Sequence, residues 1–222
     1  MDTSPTEDRA LSGLRVIDFS IMLAGPYCAR LLADLGADVI KIEPPEGDDM
    51  RLRQPLRADE TGGRHSSYFG QLNAGKRSLT LDLKNPEAIA LIRRMVLDAD
   101  VLLENFRPGV MDRLGLGAET LRALNPKLVY ASISGYGQTG AAAGRAAYAM
   151  IVQAASGYER TLARYAGDRP RPAATATFVA DLLGGIFAFS AIQTALVQRA
   201  RTGVGQQVDV ALMDCMLNLL IY

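Results

Sequence analysis

The 222-residue sequence has no tryptophan, a single histidine (His65) and two cysteines, Cys28 and Cys215. Two cysteines inside apolar helical patterns build no disulfide framework, so the chain reads as reduced, intracellular and cytoplasmic. Neither sign of charge is in excess: 24 Lys and Arg balance 24 Asp and Glu, so no nucleic acid and no membrane surface is an expected partner. The start, MDTSPTEDRA, lacks the basic and apolar regions of a secretory signal, and residues 1–10 are expected to be a disordered tail. No repeat or low-complexity segment occurs, and no metal site is expected.

Apolar residues are plentiful, at 49% of the chain, enough for the core of one large domain. The longest apolar run, FVADLLGGIFAFSAIQTAL (Phe178 to Leu196), contains one charge, Asp181. The run could span a bilayer by length. Asp181 and Gln193 would then sit in hydrocarbon, at roughly a few kcal/mol for the charge alone, so a buried helix of a soluble protein is the better reading. A lone carboxylate there is costly unless it is hydrogen-bonded, paired or used. One reading makes Asp181 a first-turn residue stabilised by the helix dipole and free backbone N–H groups. The other makes it a nucleophile, which those same donors would keep ionised. Gly184-Gly185 one turn later weakens the helix by about 1 kcal/mol each, which is easier to understand where a ligand or another backbone comes close.

Short β-rich runs alternate with helical patterns, predicting an α/β fold with a mostly parallel sheet. LRVIDFS, ADVIKIE, KRSLTLDL, DVLLENF, KLVYASISGYG and QQVDVAL read as strands. GPYCARLLADLG, NPEAIALIRRMVLDA, VMDRLGLGAETLRALNP, YAMIVQAASG and the Asp181 run read as helices. Asn85 at the N-cap and Pro86 at the first helical position mark one start clearly. Residues 44–64 and the stretch ARYAGDRPRPAATAT read as loops. The sequence stops inside an apolar helical run, LMDCMLNLLIY, without a glycine cap or polar tail, so the expectation is the N-terminal part of a longer polypeptide.

Other stretches could carry chemistry. Gly135-Tyr-Gly-Gln-Thr-Gly140 matches the dinucleotide fingerprint, but late in the chain and without an acidic residue at the right strand end, so a plain glycine-rich turn is the stronger reading. LNAGKRS places Lys76 and Arg77 behind a turn, as a solvated pair or as a phosphate or adenine contact. ENFRPGVMDRLGL, at a strand's carboxyl end, offers Asn105, Phe106, Arg107 and Arg113 to a ligand, or only a helix-initiating turn.

In order along the chain, LRVIDFSIMLAGPYCARLLADLGADVIKIEPPEGDDMR, LNAGKRSLTLDLKNPEA, DADVLLENFRPGVMDRLGL, LNPKLVYASISGYGQTG, VADLLGGIFAFSAIQTAL and TGVGQQVDVALMD resemble the signature blocks of the family III CoA-transferases, which also include α-methylacyl-CoA racemases. The resemblance runs from about Leu11 to the end. It implies a Rossmann-like CoA-binding domain over residues 11–222, cut before a small second domain, in a fold whose subunits interlock as a homodimer. It implies coenzyme A and acyl-CoA as substrates, a carboxylic acid as acceptor and Asp181 as the nucleophile, through an aspartyl anhydride and an aspartyl-CoA thioester. It also implies that Ala24, Leu72, Lys76, Asn105, Phe106 and Arg113 line the CoA channel. An arginine that often meets the adenosine moiety is Pro44 here, so that contact is expected to move to Arg51 or Arg53. Where many members have Tyr-Asp, this chain has Tyr148-Ala149.

The racemase branch is the alternative activity, and it uses a histidine just before the VADL block. Tyr148 stands at that place. His65 lies far upstream and reads as a surface or channel-lining residue. A CoA- or nucleotide-binding fragment without turnover is the further alternative.

Overall fold

The computed structural model describes residues 9–58, 63–165 and 177–220. The chain runs β1 (Arg15–Asp18), α1 (Ala24–Asp34), β2 (Asp38–Glu43), a 3-10 turn (Asp49–Leu52), β3 (Leu56–Ala58), β4 (Arg64–Ser66), α2 (Ser67–Asn73) and β5 (Arg77–Thr80). It continues with α3 (Pro86–Val96), β6 (Val101–Glu104), α4 (Val110–Arg113), α5 (Ala118–Leu124) and β7 (Val129–Ser134). Last come α6 (Ala149–Ser156), α7 (Tyr158–Tyr165), α8 (Val179–Thr202), β8 (Gln207–Ala211) and α9 (Leu212–Leu219).

Six strands form one sheet in the order β5-β2-β1-β6-β7-β8, and every pairing is parallel. The chain starts in the middle, winds to one edge, then returns past β1 and winds to the other. This is the doubly wound arrangement of a Rossmann-like domain, with its switch point between β1 and β6. A short antiparallel ribbon of β3 and β4 stands apart from the sheet.

Strand alternation places a core on each face of the sheet. Val101 and Leu103 of β6 join Val129, Ala131 and Ile133 of β7 in a cluster with residues of α1, α6, α8 and α9. Leu102 and Tyr130, one residue out of phase, join Ile92 of α3, Met111 of α4 and Leu121 of α5 on the other face.

The long apolar α8 is a core helix in this fold. Ala180, Gly184, Ala188, Ile192 and Ala195 are buried along one stripe. The glycine pair admits a neighbouring element: a Cβ at Gly185 would stand 2.7 Å from the Ala24 carbonyl oxygen of α1, and one at Gly184 would run into Leu212. Of the two close approaches foreseen for these glycines, that of another backbone accounts for Gly185, whereas at Gly184 the neighbour is a side chain.

Two helices fall where no helix was expected. The helix α2 starts inside the sequence SSYFGQLN, with Ser66 capping it by accepting from Phe69 N at 3.1 Å. The helix α7 follows Gly157, whose φ of 86° ends α6. The loop expected over residues 44–64 carries the 3-10 turn and the ribbon. Most of the expected tail (1–8) and of the expected arginine- and proline-rich loop (166–176) lies outside the described residues.

Candidate active site

The loops that leave β1, β6 and β7 open a crevice of about 320 Å³ at the carboxyl ends of the strands, where open parallel sheets bind ligands. Ala24, Asn105, Phe106, Arg107, Tyr148 and Asp181 are in its wall. A second, mainly apolar cavity of about 710 Å³ shares Met22, Leu23, Tyr148 and Asp181 with it and adds Met50, Arg53, Tyr68 and Phe178. Asp181 is therefore common to both spaces.

The carboxylate sits in the first turn of α8, half-buried, and no hydrogen bond among the described residues reaches it. Burial pushes its pKa up to about 6, because the charged form loses hydration without gaining a partner. The expectation that helix-start donors would hold it ionised is thus corrected: Phe178 occupies the N-cap without a capping side chain, and desolvation dominates. Even so, at pH 7 a group with this pKa is mostly ionised, and poorly solvated, which suits a nucleophile. Burial also raises the Tyr68 phenol, with the Asp181 charge adding to it.

The loop between β1 and α1 is held tightly. Asn105 accepts from Ile21 N and donates from Nδ2 to Ile21 O, both at 2.8 Å. Its neighbour Met22 takes a left-handed backbone, φ 63°, uncommon outside glycine. Gly25 follows because a Cβ there would collide with Ser20. The Asn105 amide, expected to face a ligand, spends both of its ends on this backbone.

Beside the crevice lies a set of closed ion pairs. Asp18, at the end of β1, accepts from Lys76 Nζ at 2.9 Å and from Ser20. Lys76 also donates to Pro26 O at 3.0 Å and Asn73 Oδ1 at 2.8 Å, which uses all three of its protons, and its side chain is 1% exposed. Lys41 pairs with Asp48 at 2.9 Å. Burial opposes the charge on Glu43, but the Arg51 fork at 2.7 Å, Ser78 and Asp48 N outweigh it and hold the carboxyl at about 2. Arg51 lies over the Phe69 ring as well, which leaves Arg53, of the two arginines considered at sequence level, facing a cavity.

Of the residues singled out from sequence, the structure brings Ala24, Asn105 and Phe106 together with Asp181. Leu72 is buried and Lys76 is enclosed by its partners; neither lines the crevice. Arg113 faces a separate surface cavity of about 650 Å³ with Lys84 and Arg93. His65, on β4, is exposed and lines neither space around Asp181. No helix begins at Gly140; α6 starts at Ala149, so Gly135 to Gly140 is the glycine-rich turn, with Gln138 N donating to Asp209 at 2.9 Å. Sequence reasoning passed over Tyr68 and Arg145 of the cavity walls, and the only local signal for the second was its place in a glycine- and alanine-rich turn.

A profile of CoA-transferase family III matches residues 11–222. The chain belongs to CoA-transferase family III. It is similar to the succinate–glutarate CoA-transferase of Agrobacterium fabrum, 46% identical over 217 residues, which are 96% of this chain and 54% of the relative. The acetyl-CoA:oxalate CoA-transferase of Acetobacter aceti is also 46% identical, over 99% of this chain and 55% of its own length. Among solved structures, a CAIB/BAIF family protein from Brucella suis superposes with a TM-score of 0.89 at 45% identity, covering 96% of this chain and 56% of that one. The chain spans about half the length of these family members.

Proposed function

We propose that the full-length protein moves CoA from an acyl-CoA to a free carboxylic acid, with Asp181 as the covalent nucleophile. The observation that carries this reading is the half-buried Asp181 carboxylate, without a hydrogen bond among the described residues, in the shared wall of two cavities. An Asp181 oxygen attacks the thioester carbonyl; the C–S bond breaks, leaving a mixed anhydride and CoA thiolate. The thiolate attacks the Asp181 carbonyl and expels the donor acid as its carboxylate, leaving an aspartyl-CoA thioester. The acceptor carboxylate attacks that thioester and forms a new anhydride. The returning thiolate takes the acceptor's acyl group and restores the Asp181 carboxylate. Each step exchanges one activated acyl bond for another, provided water is excluded.

The crevice would take the thiol end of CoA along Ala24 and Phe106, with Asn105 holding the loop that shapes it and Arg107 and Arg145 offering charge to phosphates. Arg113 beside Lys84 and Arg93 is placed for a more distant phosphate. Lys76 serves the same site from behind by neutralising Asp18, and Leu72 by packing. A homodimer, a second domain beyond residue 222 and a cytoplasmic location belong to the same proposal. The racemase alternative calls for a second proton-transfer group beside Asp181, and the nearby walls offer tyrosines in place of a histidine.

The relatives' names mention succinate, glutarate and oxalate, which makes dicarboxylic acids the first substrates to try. The test incubates the full-length protein with succinyl-CoA and glutarate and follows glutaryl-CoA. Wild type should form it and Asp181→Asn should not; turnover by the Asn variant at the wild-type rate would refute the assignment.

A further inference from the structure

The cavity that Asp181 shares on the side away from Asn105 and Phe106 is walled by Met50, Tyr68, Ile151 and Phe178, and among the described residues its one charged wall residue apart from Asp181 is Arg53. Arg53 follows the 3-10 turn, its backbone N–H donating to Met50 O at 3.3 Å. Its guanidinium makes no ion pair among the described residues, whereas Arg51, two residues earlier, is locked onto Glu43. Arg53 and Asp181 are not paired with each other either, so one mainly apolar cavity has an unpaired cation and an unpaired carboxylate among the described residues of its wall.

From this geometry, and resting on the CoA-transferase reading above, we propose that Arg53 is a specificity-determining residue that binds the distal carboxylate of dicarboxylic acyl groups. The reacting carbonyl of an acyl-CoA is neutral and must lie against Asp181. A few methylenes fill the apolar middle of the chamber. A second carboxylate at the far end then meets the Arg53 fork, which matches a carboxylate in shape and charge. A monocarboxylic chain of equal length places a methyl group there and leaves the guanidinium without a partner. One charge-assisted contact of this kind corresponds to roughly 10- to 100-fold in kcat/KM.

The test compares two five-carbon acceptors, glutarate and valerate, with succinyl-CoA as donor and the full-length protein as enzyme. The donor half-reaction is common to both acceptors, so the ratio of their kcat/KM values isolates the far end of the chain. Wild type is expected to favour glutarate by roughly 10-fold or more. Arg53→Leu should bring the ratio close to unity, chiefly through the KM for glutarate, and Arg53→Lys should restore part of it. Arg53 is exposed, so its replacement leaves the core intact. An unchanged ratio in Arg53→Leu, or no preference in wild type, overturns the proposal while leaving the transferase reading standing. No transfer by wild type to either acceptor overturns the transferase reading itself, and this proposal with it.

Discussion

Asp18 and Asp181 are both carboxylates at the ligand end of the sheet, and the fold treats them in opposite ways. Asp18 is fully buried and saturated: Lys76 supplies a salt bridge and Ser20 two hydrogen bonds. Asp181 is half-buried and has neither among the described residues, and burial raises its pKa to about 6. The same contrast separates Arg51, forked onto Glu43, from Arg53, which faces a cavity. The lesson is one of placement. Charges between β1, β2 and β5 answer one another and hold the loops, whereas the charges around the two cavities have no ion-pair partner among the described residues.

That contrast can be broken from either side. The largest effect is expected on the open side: Asp181→Asn should lower CoA transfer by more than about 1000-fold, as loss of a covalent nucleophile does, with CoA binding retained in a titration. On the closed side, Lys76→Met should cost about 3–5 kcal/mol in urea unfolding, because Asp18 would be left as an uncompensated buried charge. Adding Asp18→Asn should recover part of that loss; a single-variant loss below about 1 kcal/mol would show that the pair is not structural. Gly185→Ala should destabilise by about 1–3 kcal/mol, since its methyl group meets the Ala24 carbonyl and moves α8 from α1.

The smallest effect concerns pH. The Asp181 pKa is raised on folding, so the native state binds the proton more tightly than the unfolded chain, and stability from this group falls as pH rises from about 4 to about 6. Asp181→Asn removes that dependence. At pH 7 the variant should be the more stable protein by about 1–2 kcal/mol, shrinking toward zero at pH 4. Equal wild-type and variant stability at pH 7 would mean that the carboxylate is solvated or bonded after all. Transfer by wild type should fall as pH drops through about 6, when the nucleophile is protonated.

Much of this architecture was legible in the sequence. Runs such as DVLLENF are apolar on both faces, which suits a parallel strand covered on two sides, and Asn85-Pro86 announced α3, whose Glu87 N does donate to Asn85 at 2.9 Å. The short α2 escaped because it holds only seven residues, one of them Gly70. The isolation of Asp181 was also legible, since nothing near it in sequence could pair with it. What the sequence does not reveal is partnership across distance. Asn105 lies 84 residues from Ile21 and Lys76 58 residues from Asp18, and local spacing says nothing of either. The resemblance implied both as lining of the CoA channel, and the fold adds that their polar atoms also bond within the chain.

The most direct test of the account is chemical trapping at residue 181. The full-length protein is incubated with acyl-CoA and then with hydroxylamine, and the peptide carrying Asp181 is analysed by mass spectrometry. The account predicts a hydroxamate at Asp181, formed when hydroxylamine captures the activated aspartyl carbonyl, and none when acyl-CoA is omitted. An unmodified peptide from protein that is turning over acyl-CoA would contradict it.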